Sequence, residues 1–240
     1  PTKETYKQLM KPNPNLTDDE AWEFIRKSEG NYAEIIRFLD NHAEEDLIAI
    51  THWTCICEGS PMWSDSCRYL YDYLCTFSDK DLRDITDSVL EAHWTVPPMN
   101  PWSKEYSLYK KGILPARISN EMVRPYREEL AEFKEMKYAD YIFEWVSGHI
   151  TVDDSSNYYN CPISPVGVYK LRRADRHSRD IFFVAACRAA GIPAYLDNAT
   201  NTIYAADASK STFRKMDFND DNNAVDVNKK QAKLPLPYHG

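Results

Sequence analysis

The sequence predicts an α+β protein, in which a mostly helical N-terminal part packs on a small core holding one buried central helix and a short antiparallel sheet. Three observations lead there. The stretch SRDIFFVAACRAAGIPAY, residues 178–195, reads as a helix that is apolar nearly all round, as a helix in the middle of a core must be. The first half of the chain is filled with segments whose apolar residues recur at helical spacing. Beyond the central helix, NTIYAAD and STFRKMDF have the β-branched and aromatic composition of strands, separated by a polar turn.

Taken in order, Thr17-Asp18-Asp19-Glu20 is a capping box that opens the first strong helix. A second helix follows from about Asn31, with Tyr32, Ile35, Ile36 and Leu39 on one face. Leu47 to Ile56 forms a further apolar run. Tyr69, Leu70, Tyr73 and Leu74 mark a short helix. Ser78 caps what reads as one helix through Trp94, with Leu82, Ile85, Val89 and Leu90 inward. TVPPMNPW, with its three prolines, excludes regular structure. Asn120 is placed to cap a helix that Pro125 restricts to its first turn or kinks. Tyr138, Tyr141, Ile142 and Trp145 make the stripe of the next helix. Gly191 supplies a left-handed terminus for the central helix, and Pro193 stops it from continuing.

Composition narrows the function. At 240 residues and 43% hydrophobic, the chain can fill one large domain, or a medium domain with an appendage. A formal net charge of -8 argues against nucleic acid as the main partner. No apolar run reaches the length of a membrane span. Cys55 and Cys57 form a C-x-C pair, while Cys67, Cys75, Cys161 and Cys187 are scattered. That spacing lacks a second pair, so it predicts buried thiols rather than a metal site or a disulfide framework. No cofactor is expected.

Three stretches carry a resemblance to a known family. NPWSKEYSLYKKGILPARISNEMVRPYREEL (100–130) presents Trp102, Leu114-Pro115-Ala116-Arg117 and Asn120-Glu121; CPISPVGVYKLRRADR (161–176) leads into the central helix; CRAAGIP (187–193) ends it. Together they resemble the transglutaminase-like superfamily, with its papain-like core, in a bacterial branch where a helical arm precedes that core. The resemblance implies residues 1–64 as an N-terminal helical segment and 65–218 as the transglutaminase-like domain with its arm. Residues 219–240 are then a polar, Pro-rich tail or truncated linker, with further domains beyond Gly240.

In active members the nucleophile is a cysteine in the first turn of this helix, twelve residues before the Arg of the last motif. There, exposed N–H groups and the helix dipole lower a thiol's pKa, and a His on a neighbouring strand serves as base. The resemblance puts Arg176 at the nucleophile position, Asn201 or Thr202 at the histidine, and Asp217 at the third acid. It therefore implies a degenerate site, in which Arg176 is expected to pair with Asp217, or else with Asp175 or Asp180. No Ser or Cys is expected within reach of a His there. Ser178, His177 and Asp180 offer the residue types of a triad, but neighbours one and two apart on a helix do not face one another.

The degenerate site implies a non-catalytic module of an exported protein, periplasmic or on the cell surface, that binds a peptide or glycan or plays a structural part. Candidate ligand residues are Arg176, His177, Arg179 and Tyr195, the last standing where the family usually has Arg. The first three would suit a carboxylate, phosphate or sulfate, or they are simply neutralised by Asp175, Asp180 and Asp217. The alternatives are an active transamidase or amide hydrolase with a displaced nucleophile such as Cys161, or an N-terminal scaffold of a larger enzyme.

Overall fold

A computed structural model describes residues 2–13, 15–43, 69–95, 104–207 and 211–218. The predicted run Leu47–Ile56, the C-x-C pair, most of the proline-rich 95–102 segment and the 219–240 tail lie outside these residues.

Two hydrophobic cores divide the described chain. One gathers residues from Tyr6 to Ala116, the other from Ile118 to Met216. The first is built by α1 (Lys3–Leu9), α2 (Asp18–Lys27), α3 (Tyr32–Asn41), α4 (Tyr69–Leu74), α5 (Asp79–Asp84), α6 (Asp87–His93) and α7 (Lys104–Gly112). The capping box at Thr17 and Glu20 is present. Asp79–His93 is two helices, not one: Ile85 turns extended, and Thr86 takes the N-cap place of the second. The side-chain period runs on through the break, which is why the sequence reads as continuous.

The second core opens with a correction. Residues 121–126 form no helix, 127–130 form a turn, and a 3-10 helix follows at Ala131–Glu135. Pro125 has no N–H to give a helix. The Glu121 carboxylate, buried, instead accepts the Ile118 and Ser119 amides at 2.7 and 2.8 Å. In α8 (Ala139–His149) the buried face is Ala139, Ile142, Phe143 and Val146. Tyr138 and Tyr141, expected inward, are exposed, and Trp145 is half-buried.

Strand β1 (Thr151–Val152) pairs in parallel with β2 (Arg173–Ala174). Parallel neighbours need a crossover, and α9 (Pro165–Leu171) supplies it, with Ser164 capping and Pro165 in its first turn. Next comes the central helix α10 (Arg176–Ala189), buried at every residue from Ser178 to Ala189. Its end satisfies the last carbonyls as predicted: Gly191 has φ +78, Ile192 N–H donates to Cys187 O at 2.8 Å and Gly191 N–H to Arg188 O at 3.1 Å, which is the Schellman arrangement. The sheet has order β3-β4-β5, antiparallel, with β3 at Ala194–Asp197, β4 at Thr202–Asp207 and β5 at Thr212–Met216. The sequence revealed β4 and β5. The third strand is Ala194–Asp197, directly behind the helix terminus, where four residues give too short a pattern to stand out.

Arg188 locks the two cores together. It is 3% exposed. Its Nε–H reaches Gly112 O and Ala194 O at 3.0 Å each, and its Nη1 reaches Pro115 O at 2.6 Å and Arg117 O at 3.1 Å. One guanidinium thus satisfies carbonyls from the arm, the linker and the sheet. Arg117 extends the lock by pairing with Asp81 of α5 and with Glu121 O. Burial works to raise the Asp81 pKa, yet Arg117 and Ser78 hold it below the usual carboxylate value. Gly112 lets the arm approach: a Cβ there would lie 2.7 Å from Ala194 N.

Candidate functional site

The central helix starts where the sequence puts it, and Arg176 is its first residue. Asp175 is the N-cap. Its carboxylate accepts from Ser178 N at 3.0 Å, Ser178 Oγ at 2.6 Å and Asn157 Nδ2 at 2.7 Å. Burial would raise the Asp175 pKa, but the Ser178 and Asn157 donors hold it low. Ser178 is thereby spent on structure: it is fully buried, and its Oγ also accepts the Ile163 amide at 2.9 Å.

Arg176 does not pair with Asp217, nor with Asp175 or Asp180. Its partner is Asp154, from the loop after β1, at 2.8 Å. The same carboxylate accepts the Arg176 amide at 2.9 Å. The β1–β2 pairing brings that loop to the helix start, a connection that spacing along the chain cannot reveal. Asp217 pairs with Lys215 at 3.0 Å. Continuing the register Ile203↔Met216 by one residue puts Thr202 opposite Asp217, so those two positions do meet. Thr202 donates to Thr200 O at 3.3 Å, and a hydroxyl is no base at neutral pH.

The candidate ligand residues do not converge. Arg179 is buried against Asp180, with contacts of 2.9 and 2.7 Å, and its guanidinium covers the Phe218 ring at 4.2 Å. Burial pushes the Asp180 pKa up, against the pull of Arg179, and the nearby Asp217 charge adds to the rise. Tyr195 stacks on Tyr204 at 5.0 Å, with Lys111 Nζ 3.8 Å above its ring. It lies on the face of the sheet away from the central helix, since Ala194 and Leu196 point inward.

His177 corrects another expectation. Its Nε2 lies 3.0 Å from Asn120 Oδ1 and 3.3 Å from Ser119 Oγ, so a serine does stand within reach of a histidine. Ser119 in turn donates to Asn198 Oδ1 in the β3–β4 turn. Asn120 Oδ1 is an acceptor, so Nε2 carries the proton in this arrangement. A general base needs that nitrogen bare. Three elements meet here with no local sequence signal, because Ser119 and His177 are 58 residues apart.

Among the described residues, Cys75, Cys161 and Cys187 make no contact with a histidine, and the first two are exposed rather than buried as expected. Cys161 is exposed, with its Sγ 3.7 Å from Tyr159 O. His149 donates from Nδ1 to Trp145 O at 2.8 Å and stacks on that indole. Cys187 is fully buried, which drives its pKa far above the ordinary thiol value and leaves it inert.

Residues 117–223 match the family model of the transglutaminase-like superfamily. The chain therefore carries a transglutaminase-like domain, and the matched span begins where the second hydrophobic core begins. No curated protein and no solved structure matches the chain. Among the described residues no helix is long and apolar enough to cross a membrane.

Proposed function

We propose that this chain is a non-catalytic transglutaminase-like module that serves binding, of a peptide or glycan, or a structural role. One observation carries the reading. The helix start that would stabilise a thiolate holds Arg176, and the amides of Arg176 and Ser178 are taken by the protein's own Asp154 and Asp175. A helix N-terminus favours an anion; this one is already supplied with two. Export to the periplasm or cell surface, in a protein with further domains after Gly240, belongs to the same reading and is tested by locating the tagged full-length product.

The contact between Ser119 and His177 favours one competing reading, a serine hydrolase. It requires Asn120 to release Nε2. Purified protein, assayed for amine incorporation and amide hydrolysis, is expected to show neither. A fluorophosphonate is expected to leave Ser119 unlabelled. Arg176→Cys is expected to remain inactive because Thr202 supplies no base. Turnover blocked by a thiol reagent would establish cysteine chemistry instead, of which Cys161 is the leading candidate, and turnover blocked by the fluorophosphonate would establish the serine reading.

A further inference from the structure

The most distinctive unassigned feature lies at the other end of the central helix, about 20 Å from Arg176 at 1.5 Å per residue. A cleft of about 880 Å³ opens there, between the arm and the Gly191–Pro193 turn. Its volume is in the range of small-ligand sites. Leu108, Ile113 and Pro193 give it an apolar wall, and two cationic residues, Arg127 and the nearly buried Arg188, are part of its lining.

Both cations make their hydrogen bonds to main-chain carbonyls. Arg127 donates to Arg188 O at 3.2 Å and to Ile113 O; Arg188 serves the four carbonyls of the lock. Among the described residues no carboxylate forms a salt bridge with either. The nearby Glu121 is held by backbone amides. Carbonyl dipoles compensate a buried cation only in part, and an uncompensated one is costly. Arg127 Nε within this pair and His93 Nδ1 beside it are also buried without a hydrogen-bond partner, and the Tyr126 hydroxyl lies against Arg188. Burial, then Arg127 and Arg188, disfavours a charge on His93, so the imidazole stays neutral beside them. The rest of the lining carries the exposed Lys134 with three acids, Glu105, Glu128 and Asp207, a balance that suits a single negative charge better than several.

We propose that this cleft binds a small monocarboxylate with an apolar body, its carboxylate facing Arg127 and Arg188 and its body against the apolar wall. The proposal is independent of what the opposite end of the helix does. Octanoate is the probe, with octanol as its uncharged counterpart, measured by calorimetry and thermal shift on the whole chain. Octanoate is expected to bind saturably and at least tenfold more tightly than octanol, raising the melting temperature. Ala92→Trp, from an exposed position lining the cleft, fills the space without touching the cations and is expected to weaken octanoate at least tenfold while the circular dichroism spectrum is kept. Arg127→Gln is expected to erase the preference for octanoate over octanol. Equal affinity for the two probes, no saturable binding below the micelle-forming concentration, or octanoate binding indifferent to Ala92→Trp would overturn it.

Discussion

The two ends of the central helix hold different kinds of polar group. At the Arg176 end they are exposed or shared with loops: Arg176 and Asp154 retain 65% and 48% of their side-chain surface in solvent, and the histidine sits among loop residues. At the Arg188 end the charge is buried and is held chiefly by main-chain carbonyls. The residues that make this family recognisable here, CRAAGIP, are therefore those that hold the arm, the helix and the sheet together. A domain can change what its helix start does at small cost in stability, whereas the opposite end bears on both cores at once.

Stability measurements test that asymmetry. The largest effect is expected for Arg188→Met, which strands several buried carbonyls and removes the lock. Urea denaturation should show a loss of about 3–5 kcal/mol, the scale for breaking a buried charged network; a loss below 1 kcal/mol would mean that the arm and domain do not depend on this contact.

Acid should act through the same seam. Burial, then Arg127, lowers the His93 pKa from 6.5 to about 4. The folded state therefore favours the neutral imidazole. Its contribution is fully present above pH 6.5, falls as the unfolded chain takes up the proton, and is gone near pH 4. On linkage grounds the swing is on the order of 3 kcal/mol. Denaturation curves at pH 7 and pH 4.5 should differ accordingly, and His93→Gln should flatten the dependence between them.

Gly112→Ala forces a methyl group against the β3 backbone and is expected to cost about 1–3 kcal/mol, read as a lowered melting temperature. The helix start should be milder. Asp175→Ala removes the N-cap, for a loss of about 1 kcal/mol. Asp154→Ala, which breaks a solvent-exposed pair, should cost less still, below about 1 kcal/mol. If Asp154→Ala proves as damaging as Arg188→Met, the contrast between the two ends collapses.

What could be read from the sequence follows from how far each contact reaches. The central helix, its left-handed glycine and the Thr17 capping box were legible because cap, period and stop signal are neighbours in the chain. So was the place of Arg176 at the first turn of that helix, a fixed count from Arg188. The division of Asp79–His93 was hidden because Ile85 keeps the helical side-chain rhythm while its backbone turns extended. The fate of Glu121 was hidden because a carboxylate folding back on its own loop looks the same as one opening a helix. Arg176 finding Asp154, and His177 finding Ser119 and Asn120, depend on a parallel strand pair and on the seam between cores, neither of which leaves a local pattern.

The lock at Arg188 has a consequence for how such chains diversify. Its four acceptors are carbonyl oxygens of Gly112, Pro115, Arg117 and Ala194, and every amino acid brings a carbonyl. The guanidinium thus grips the course of the chain rather than the identities of its side chains. Across evolution, an arm needs only to keep its path past this point, with room for close approach where Gly112 stands. Its outward surface is then free to drift, and different arms can be fitted to the same domain without a compensating change in the domain's interior.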